Sequence, residues 1–149
     1  MDSVKSKMNN LIDSMKEQLF EMGDVIYDHP EIGLQEVFAS KLLEDWLENH
    51  GFLVERGLGS MPTAFRAVYE QGTGGPSIGL LTEYDALAGI GHACGHHLQG
   101  PCILAAANAV LRAGIEKPFK LVVYGTPAEE TLGGKIKMVQ EGYFRDIDV

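Results

Sequence analysis

The sequence predicts an α/β layered domain whose sheet contains some parallel strands. Segments with apolar residues at helical spacing alternate with short continuous apolar runs, which are typical of strands buried on both faces of a sheet. In the second half of the chain the predicted order is strand, helix, strand, helix, which is the pattern of an α/β domain. A chain of 149 residues is long enough for one such domain with its own core.

The first two predicted elements are helices. Apolar residues between Leu11 and Ile26 recur every three or four positions, and Pro30 ends the segment because the residue before a proline avoids helical angles. A second helix is predicted over residues 35–49, with Gly51 as its C-terminal stop.

After these helices the apolar spacing becomes that of strands. FLVER and TAFRAVYE predict two short strands, and QGTGGP predicts a turn. SIGLL and FKLVVYG are continuous apolar runs, so we expect two further strands that are buried on both faces.

Two more helices and the end of the chain complete the pattern. CILAAANAVLRAG, which lies between the two apolar runs, and GGKIKMVQEGYF, which follows the second, predict helices. The final RDIDV is typical of the approach to another strand. We therefore expect the chain to be a fragment of a longer protein.

Composition and charge argue against several classes of partner. The formal net charge is −9, which repels phosphate backbones, so we expect no nucleic-acid partner. The sequence has no basic amphipathic stripe, no apolar run of membrane length and no signal-peptide core, so we expect no membrane partner and a cytoplasmic location. Cys94 and Cys102 form a poor disulfide framework, which fits a reducing compartment.

The side chains that could bind a metal are concentrated in a few short stretches. GIGHACGHHLQG, residues 89–100, contains three of the five histidines and one of the two cysteines. Glu83 and Asp85 follow the first buried run, and Glu129 and Glu130 follow the second. Sites in open α/β sheets form beyond the carboxyl ends of strands, so we expect these groups at one rim. Carboxylates so close together repel one another unless a cation lies between them, which predicts a metal.

Cys94 and His96 are candidate ligands because a spacing of two in a glycine-flanked loop lets both side chains turn toward one point. Thiolate, imidazole and carboxylate together suit Zn²⁺, with Mn²⁺ or Co²⁺ as substitutes. Spacing alone leaves open a buried cysteine beside capping histidines. Glu129 and Glu130 are either an exposed acidic doublet or a functional pair, in which one carboxylate binds metal and the other takes a proton from water.

Three motifs, in order, resemble those of a known enzyme family. HPEIGLQE, EYDALAGIGHACGHH and GTPAEETLGGKIKM closely resemble the zinc-dependent aminoacylase and carboxypeptidase (amidohydrolase) family, over a range from about Leu11 to the last residue. That family includes hippurate hydrolases, plant auxin-conjugate amidohydrolases and aminobenzoyl-glutamate hydrolases. The EYDAL form resembles the aminobenzoyl-glutamate hydrolase and dipeptidase branch.

The resemblance implies a three-layer α/β sandwich with a mixed, partly parallel sheet. Residues 1–149 would form the N-terminal half of the metallopeptidase catalytic domain, without the lid and dimerisation domain and without two further ligand histidines. The implied protein binds two Zn²⁺ ions, forms a homodimer, and hydrolyses the amide bond of N-acyl amino acids, aminobenzoyl-glutamate-like conjugates or dipeptides. The 149-residue chain alone is expected to be inactive.

The resemblance also implies roles for five residues. Cys94, His96 and Glu130 match metal ligands of the family, and the cysteine often bridges two ions. Glu129 matches the catalytic base, and Asp85 matches a catalytic residue with a supporting role, which orients the groups around the metal.

The sequence departs from the family pattern at two positions within these motifs. Ala88 replaces the usual proline after DAL, and His97 replaces the usual Asp or Asn after the ligand histidine. His92 is expected to support the loop rather than to bind metal.

Two other functions are the alternatives. One is a truncated or degenerate relative that keeps the fold as a binding module, and the other is a thiol redox protein that uses Cys94. Both glutamates are retained, which argues against decay, and Cys-x-x-Cys is missing, which argues against redox chemistry.

Overall fold

Helices and strands follow one another along the chain in the predicted order. The computed structural model describes residues 2–149. The elements are α1 (Asp2–Asp28), α2 (Val37–Asn49), β1 (Leu53–Leu58), β2 (Met61–Gln71), β3 (Ser77–Thr82), α3 (His96–Arg112), β4 (Phe119–Gly125) and α4 (Gly134–Glu141). Within the described range, none of the helices combines the length and the apolar character needed to cross a membrane.

The strands of residues 2–149 form one mixed sheet in the order β1-β2-β4-β3. β1 and β4 each pair with β2 in antiparallel orientation, whereas β3 is parallel to β4. A parallel pair needs a crossover connection, and α3 lies on the connection from β3 to β4. The predicted mixed, partly parallel sheet is confirmed.

Helices cover both faces of this sheet. Along β4, Leu121 and Val123 belong to the core that α1, α2 and α3 share with the sheet, while Val122 and Tyr124 belong to the core with Met138 of α4. All five side chains are buried. The alternation places one helical layer on each side, so the predicted three-layer sandwich is confirmed.

β3 is less buried than its apolar sequence predicts, because it pairs with β4 on one side and lies at the edge of the sheet. Its Leu81 side chain is 41% exposed. Along the other side of β3, the amide groups of Asp148 and Val149 donate to the carbonyl of Ser77, and the amide of Gly79 donates to the carbonyl of Val149. Asp148 and Val149 therefore run along β3, and whether a further strand follows stays a prediction.

α3 begins at His96, whereas the sequence predicts a start at Cys102. A proline inside a helix removes a backbone hydrogen bond, so Pro101 is expected in the first turn, but the structure places it farther inside the helix. α1 packs closely here, since a Cβ atom added at Gly23 would lie 3.4 Å from Leu98 and 4.0 Å from Pro101. This packing overrides the local preference and makes His96 a helical residue rather than a loop residue.

Leu43 anchors the contact between α2 and α3. It is fully buried, and a Cβ atom added at Gly100 of α3 would lie only 2.9 Å from its Cδ2 atom. We expect Leu43→Ala to lower the free energy of unfolding by about 2–5 kcal/mol, measured by urea denaturation, because it leaves a cavity between the helices. Leu53→Ala on β1, where the side chain is 79% exposed, is the control. Equal losses in the two variants would contradict this assignment of the core.

Candidate metal centre

The candidate site lies where the parallel strands β3 and β4 end. Glu83 directly follows Thr82, the last residue of β3, and Thr126 directly follows β4. The amide of Thr126 donates to the carbonyl of Thr82 at 2.9 Å, so the loops after the two strands start side by side. This is the rim that the strand pattern predicts.

A close contact at the end of β4 requires glycine at position 125. A Cβ atom there would lie 2.7 Å from the Oη atom of Tyr84 and would overlap the ring of Phe65. Tyr84 is fully buried, and its hydroxyl donates to the carbonyl of Thr63 at 2.6 Å. The tyrosine therefore fixes the segment that follows β3.

His96 lies at the centre of the site. Its Nδ1 atom is 3.0 Å from the carbonyl oxygen of Asp85 and 3.1 Å from the Oδ1 atom of the same residue. Both partners are acceptors, so the neutral tautomer with its hydrogen on Nδ1 satisfies them. Nε2 then faces Glu83 Oε2 at 3.0 Å and Glu130 Oε1 at 3.7 Å. This tautomer leaves Nε2 directed at the carboxylates, where a metal ligand is needed.

Asp85 connects the two loops of the site. Its carboxylate is almost completely buried, and while Oδ1 faces His96, Oδ2 accepts the amide hydrogen of Glu130 at 3.0 Å. One side chain after β3 thus holds the first residue of α3 and a residue after β4. Asp85 therefore contacts both His96 and the backbone of Glu130, while its supporting role stays a prediction.

Glu83, His96 and Glu129 each place one potential ligand atom within 4.8 Å of the others. One imidazole nitrogen and two carboxylate oxygens suit a divalent metal ion. Sequence reasoning places Glu83 at this rim but assigns it no role. The available signal is its position directly after β3, opposite the loop that carries Glu129.

Cys94 lies beside the paired glutamates and is exposed, so the alternative of a buried cysteine is wrong. The Glu130 carboxylate next to its thiol, together with desolvation and the negative charges of Glu129 and Asp85, raises the pKa of Cys94. The structure therefore brings all five predicted site residues into one cluster. Their individual roles stay predictions.

A lysine supplies positive charge to this acidic cluster. Lys135, in the first turn of α4, forms an ion pair with Oε1 of Glu83. The side-chain amide of Gln99 donates to Oε2 of Glu83 at 3.3 Å, and its oxygen accepts the Glu83 amide hydrogen. The Glu83 carboxylate is thus held from two sides.

His92 and His97 pack against each other, and His97 packs against Tyr27 at the end of α1. The ring centroids of His92 and His97 are 5.4 Å apart, and the centroid of His97 is 5.0 Å from that of Tyr27. Burial lowers the pKa of both histidines, and for His92 the neighbouring imidazoles lower it further. The supporting role that is expected of His92 stays a prediction.

Comparisons with known proteins identify the family that shares this fold and these motifs. No protein-family model matches the chain. The fold resembles the crystal structure of a dinuclear metal-binding peptidase of the M20 family from Bacillus subtilis, with a TM-score of 0.77 and 24% identity, over 91% of this chain and 41% of that one. The chain is 36% identical to one of the subunits of the p-aminobenzoyl-glutamate hydrolase of Escherichia coli (strain K12), over 99% of this chain and 34% of the relative. It is 37% identical to the Xaa-Arg dipeptidase of Homo sapiens, over 100% of this chain and 38% of the relative.

The chain belongs to the M20 family of amidohydrolases and peptidases. The family predicted from the three motifs is confirmed, and the two curated relatives carry the names of the predicted branch. The chain spans only 34–38% of the length of these M20 relatives.

Proposed function

We propose that this chain is part of a metal-dependent M20 amidohydrolase, which hydrolyses the amide bond of N-acyl amino acids, aminobenzoyl-glutamate-like conjugates or dipeptides. The observation that carries the proposal is the convergence of Glu83, His96 and Glu129 within 4.8 Å, beside Cys94 and Glu130. The names of the two curated relatives, a hydrolase of p-aminobenzoyl-glutamate and a dipeptidase, support this class of small substrate.

The chemistry of the donor set fits a divalent metal ion. A thiol, an imidazole and several carboxylates suit Zn²⁺, with Mn²⁺ or Co²⁺ as substitutes. Cys94, His96 and Glu130 are the proposed ligands, and Glu83 is a further carboxylate close to His96. When bound, the metal supplies Lewis acidity, which polarises an amide carbonyl and makes water a nucleophile near neutral pH.

The protein's own groups would hold and move protons. Glu129 is the proposed base, which accepts a proton from the attacking water and delivers it to the departing amine. Asp85 keeps the hydrogen of His96 on Nδ1 and holds the backbone of Glu130. Glu129 directly precedes Glu130, whose backbone amide the buried Asp85 carboxylate holds.

The proposal assigns residues 1–149 to an incomplete catalytic domain. The M20 relatives are about 2.5 to 3 times as long as the matched region, which leaves room for further ligand histidines, a lid and a homodimer contact. A cytoplasmic location and two metal ions in the full-length protein are part of the same proposal. We expect the 149-residue chain to bind zinc weakly and to have no turnover, and two tight sites in a calorimetric titration would contradict this.

Protection of one thiol tests whether Cys94 binds the metal. At a zinc concentration about ten times the dissociation constant, we expect alkylation of Cys94 by iodoacetamide to be about tenfold slower, because the metal-bound form is not available to the reagent. Cys102 is also exposed and serves as the control within the same chain. Peptide mass spectrometry measures both rates. If zinc slows neither thiol or both equally, Cys94 is not a specific ligand.

A further inference from the structure

The carboxylate of Glu36 holds the loop that carries the paired glutamates. We call residues 126–133 the glutamate loop. Glu36 directly precedes α2 and is fully buried. Its Oε1 atom accepts the amide hydrogen of Ala128 at 2.8 Å, and its Oε2 atom accepts the hydroxyl hydrogen of Thr63 at 2.9 Å. One side chain therefore connects the start of α2, strand β2 and the glutamate loop.

The glutamate loop needs such a contact because its backbone is strained at Ala128. The φ angle of Ala128 is 56°, in the left-handed region that residues with a Cβ atom disfavour. Its carbonyl accepts amide hydrogens from Leu132 and Gly133 at 3.1 and 2.9 Å, so the chain turns tightly around this peptide. A strained backbone of this kind persists only where its surroundings enforce it.

The segment before α2 packs directly against this turn. A Cβ atom added at Gly33 would lie 2.9 Å from the Cβ atom of Ala128, so glycine permits the close approach. Leu34 also has a positive φ angle, of 63°. The carbonyl of Glu31 accepts the amide hydrogen of Ala86 at 2.8 Å, next to Asp85. The HPEIGLQE motif therefore contacts both loops of the site.

Burying the carboxylate of Glu36 costs free energy that an apolar side chain at this position would not. Burial raises the pKa of Glu36, although the hydrogen bonds from its own amide, Ala128 and Thr63 act in the opposite direction. A buried ionisable group destabilises a fold unless its hydrogen bonds compensate, and an apolar side chain would serve packing alone. Packing alone therefore does not explain a glutamate at position 36, whereas the hydrogen bonds that its two oxygens accept do.

Two buried carboxylates hold the backbone amides of the residues on either side of Glu129. Glu36 binds the amide of Ala128, and Asp85 binds the amide of Glu130. We propose that Glu36 is a positioning residue, which acts through Ala128 to keep Glu129 and Glu130 directed at His96. The role of the glutamates in this statement rests on the proposed function, whereas the hold on the loop does not.

The test compares Glu36→Leu, which removes the acceptors, with Glu36→Gln, which retains an oxygen for the Ala128 amide. Glu44→Leu is the matched control, because Glu44 is also a buried glutamate of this region but binds Arg56 instead of the loop. Hydrogen–deuterium exchange of the glutamate loop and Co²⁺ affinity, from absorption titration of the 149-residue chain, are measured for each variant. Thermal unfolding gives the loss of stability.

We expect Glu36→Leu to accelerate exchange in the glutamate loop and to weaken Co²⁺ binding by about 10–100-fold. Glu36→Gln is expected to restore both properties to nearly the wild-type values. Glu44→Leu is expected to change neither, even if it lowers the unfolding temperature as much. If Glu36→Leu does not fold, Glu36→Asp replaces it, because it keeps the charge but is one methylene too short to reach Ala128, and the same losses are expected.

Each remaining outcome decides against part of the inference. Unchanged exchange in the loop overturns the hold on Ala128, and accelerated exchange with unchanged Co²⁺ affinity overturns the positioning role. A wild-type chain that binds no Co²⁺ would count against the proposed metal site. Exchange would then decide by itself whether Glu36 fixes the glutamate loop.

Discussion

Glu129→Gln is expected to lower kcat by about 10²–10⁴-fold in the M20 protein that contains this chain, with its metal content unchanged. Glutamine keeps the shape of the side chain but cannot accept a proton from water. The proposed ligands Cys94, His96 and Glu130 are untouched by the substitution. Hydrolysis of aminobenzoyl-glutamate, one of the proposed substrates, measures kcat, and elemental analysis by mass spectrometry measures the bound metal.

A glutamate outside the site provides the control for this prediction. Glu55 lies exposed on β1, at the edge of the sheet opposite β3, and Glu55→Gln removes the same charge. We expect its kcat to equal that of the wild type. If Glu129→Gln loses metal together with activity, Glu129 is a ligand, as its closeness to Glu83 and His96 allows. Near wild-type activity with metal bound would show that another group is the base.

Asp85→Asn is expected to weaken metal binding by about 10–100-fold. Asp85 accepts hydrogens on both carboxylate oxygens, from His96 Nδ1 and from the Glu130 amide. Asparagine has one acceptor oxygen, so its NH₂ group must face one of these two donors. His96 Nδ1 also faces the carbonyl of Asp85, whereas the Glu130 amide has only the side-chain oxygen, so the side-chain contact with His96 is the one that we expect to be lost.

Isothermal titration with Zn²⁺ measures the effect of Asp85→Asn on affinity. Asp146→Asn is the control, because Asp146 also accepts from two donors, Arg66 and Lys120, but is not part of the candidate site. Thermal unfolding of both variants separates a loss of affinity from a loss of folded protein. Equal zinc affinities of the Asp85 variant and the wild type would refute the supporting role.

Most of the fold could be predicted because it depends on local apolar spacing. The helices α1 and α2, predicted from helical spacing, and the strand β4, predicted from a continuous apolar run, are all present in the structure. The start of α3 could not be predicted, since packing against Gly23 overrides the rule that proline avoids helix interiors. The exposure of Leu81 was missed because a continuous apolar run does not say which strand lies at an edge.

The sequence predicts those parts of the candidate site that directly follow the ends of strands. Parallel pairing of β3 and β4 brings Asp85 and Glu130 together, as their places after two buried runs indicate. Glu83 received no role, because choosing among neighbouring carboxylates needs distances. Glu36 was missed because glutamates are mostly exposed, and only the fold reveals that this one is buried.

The last strand in the chain order of residues 2–149 is an inner strand of the sheet, between β2 and β3. A ribosome releases β1, β2 and β3 before β4, so the emerging chain carries an unpaired strand edge until β4 leaves the exit tunnel. The β1–β2 hairpin can thus form early during synthesis, whereas the four-stranded sheet is complete only after β4 has left the exit tunnel. Chaperone contacts during synthesis are accordingly expected on the open edge of β2, the edge that Phe65 to Gln71 later present to β4.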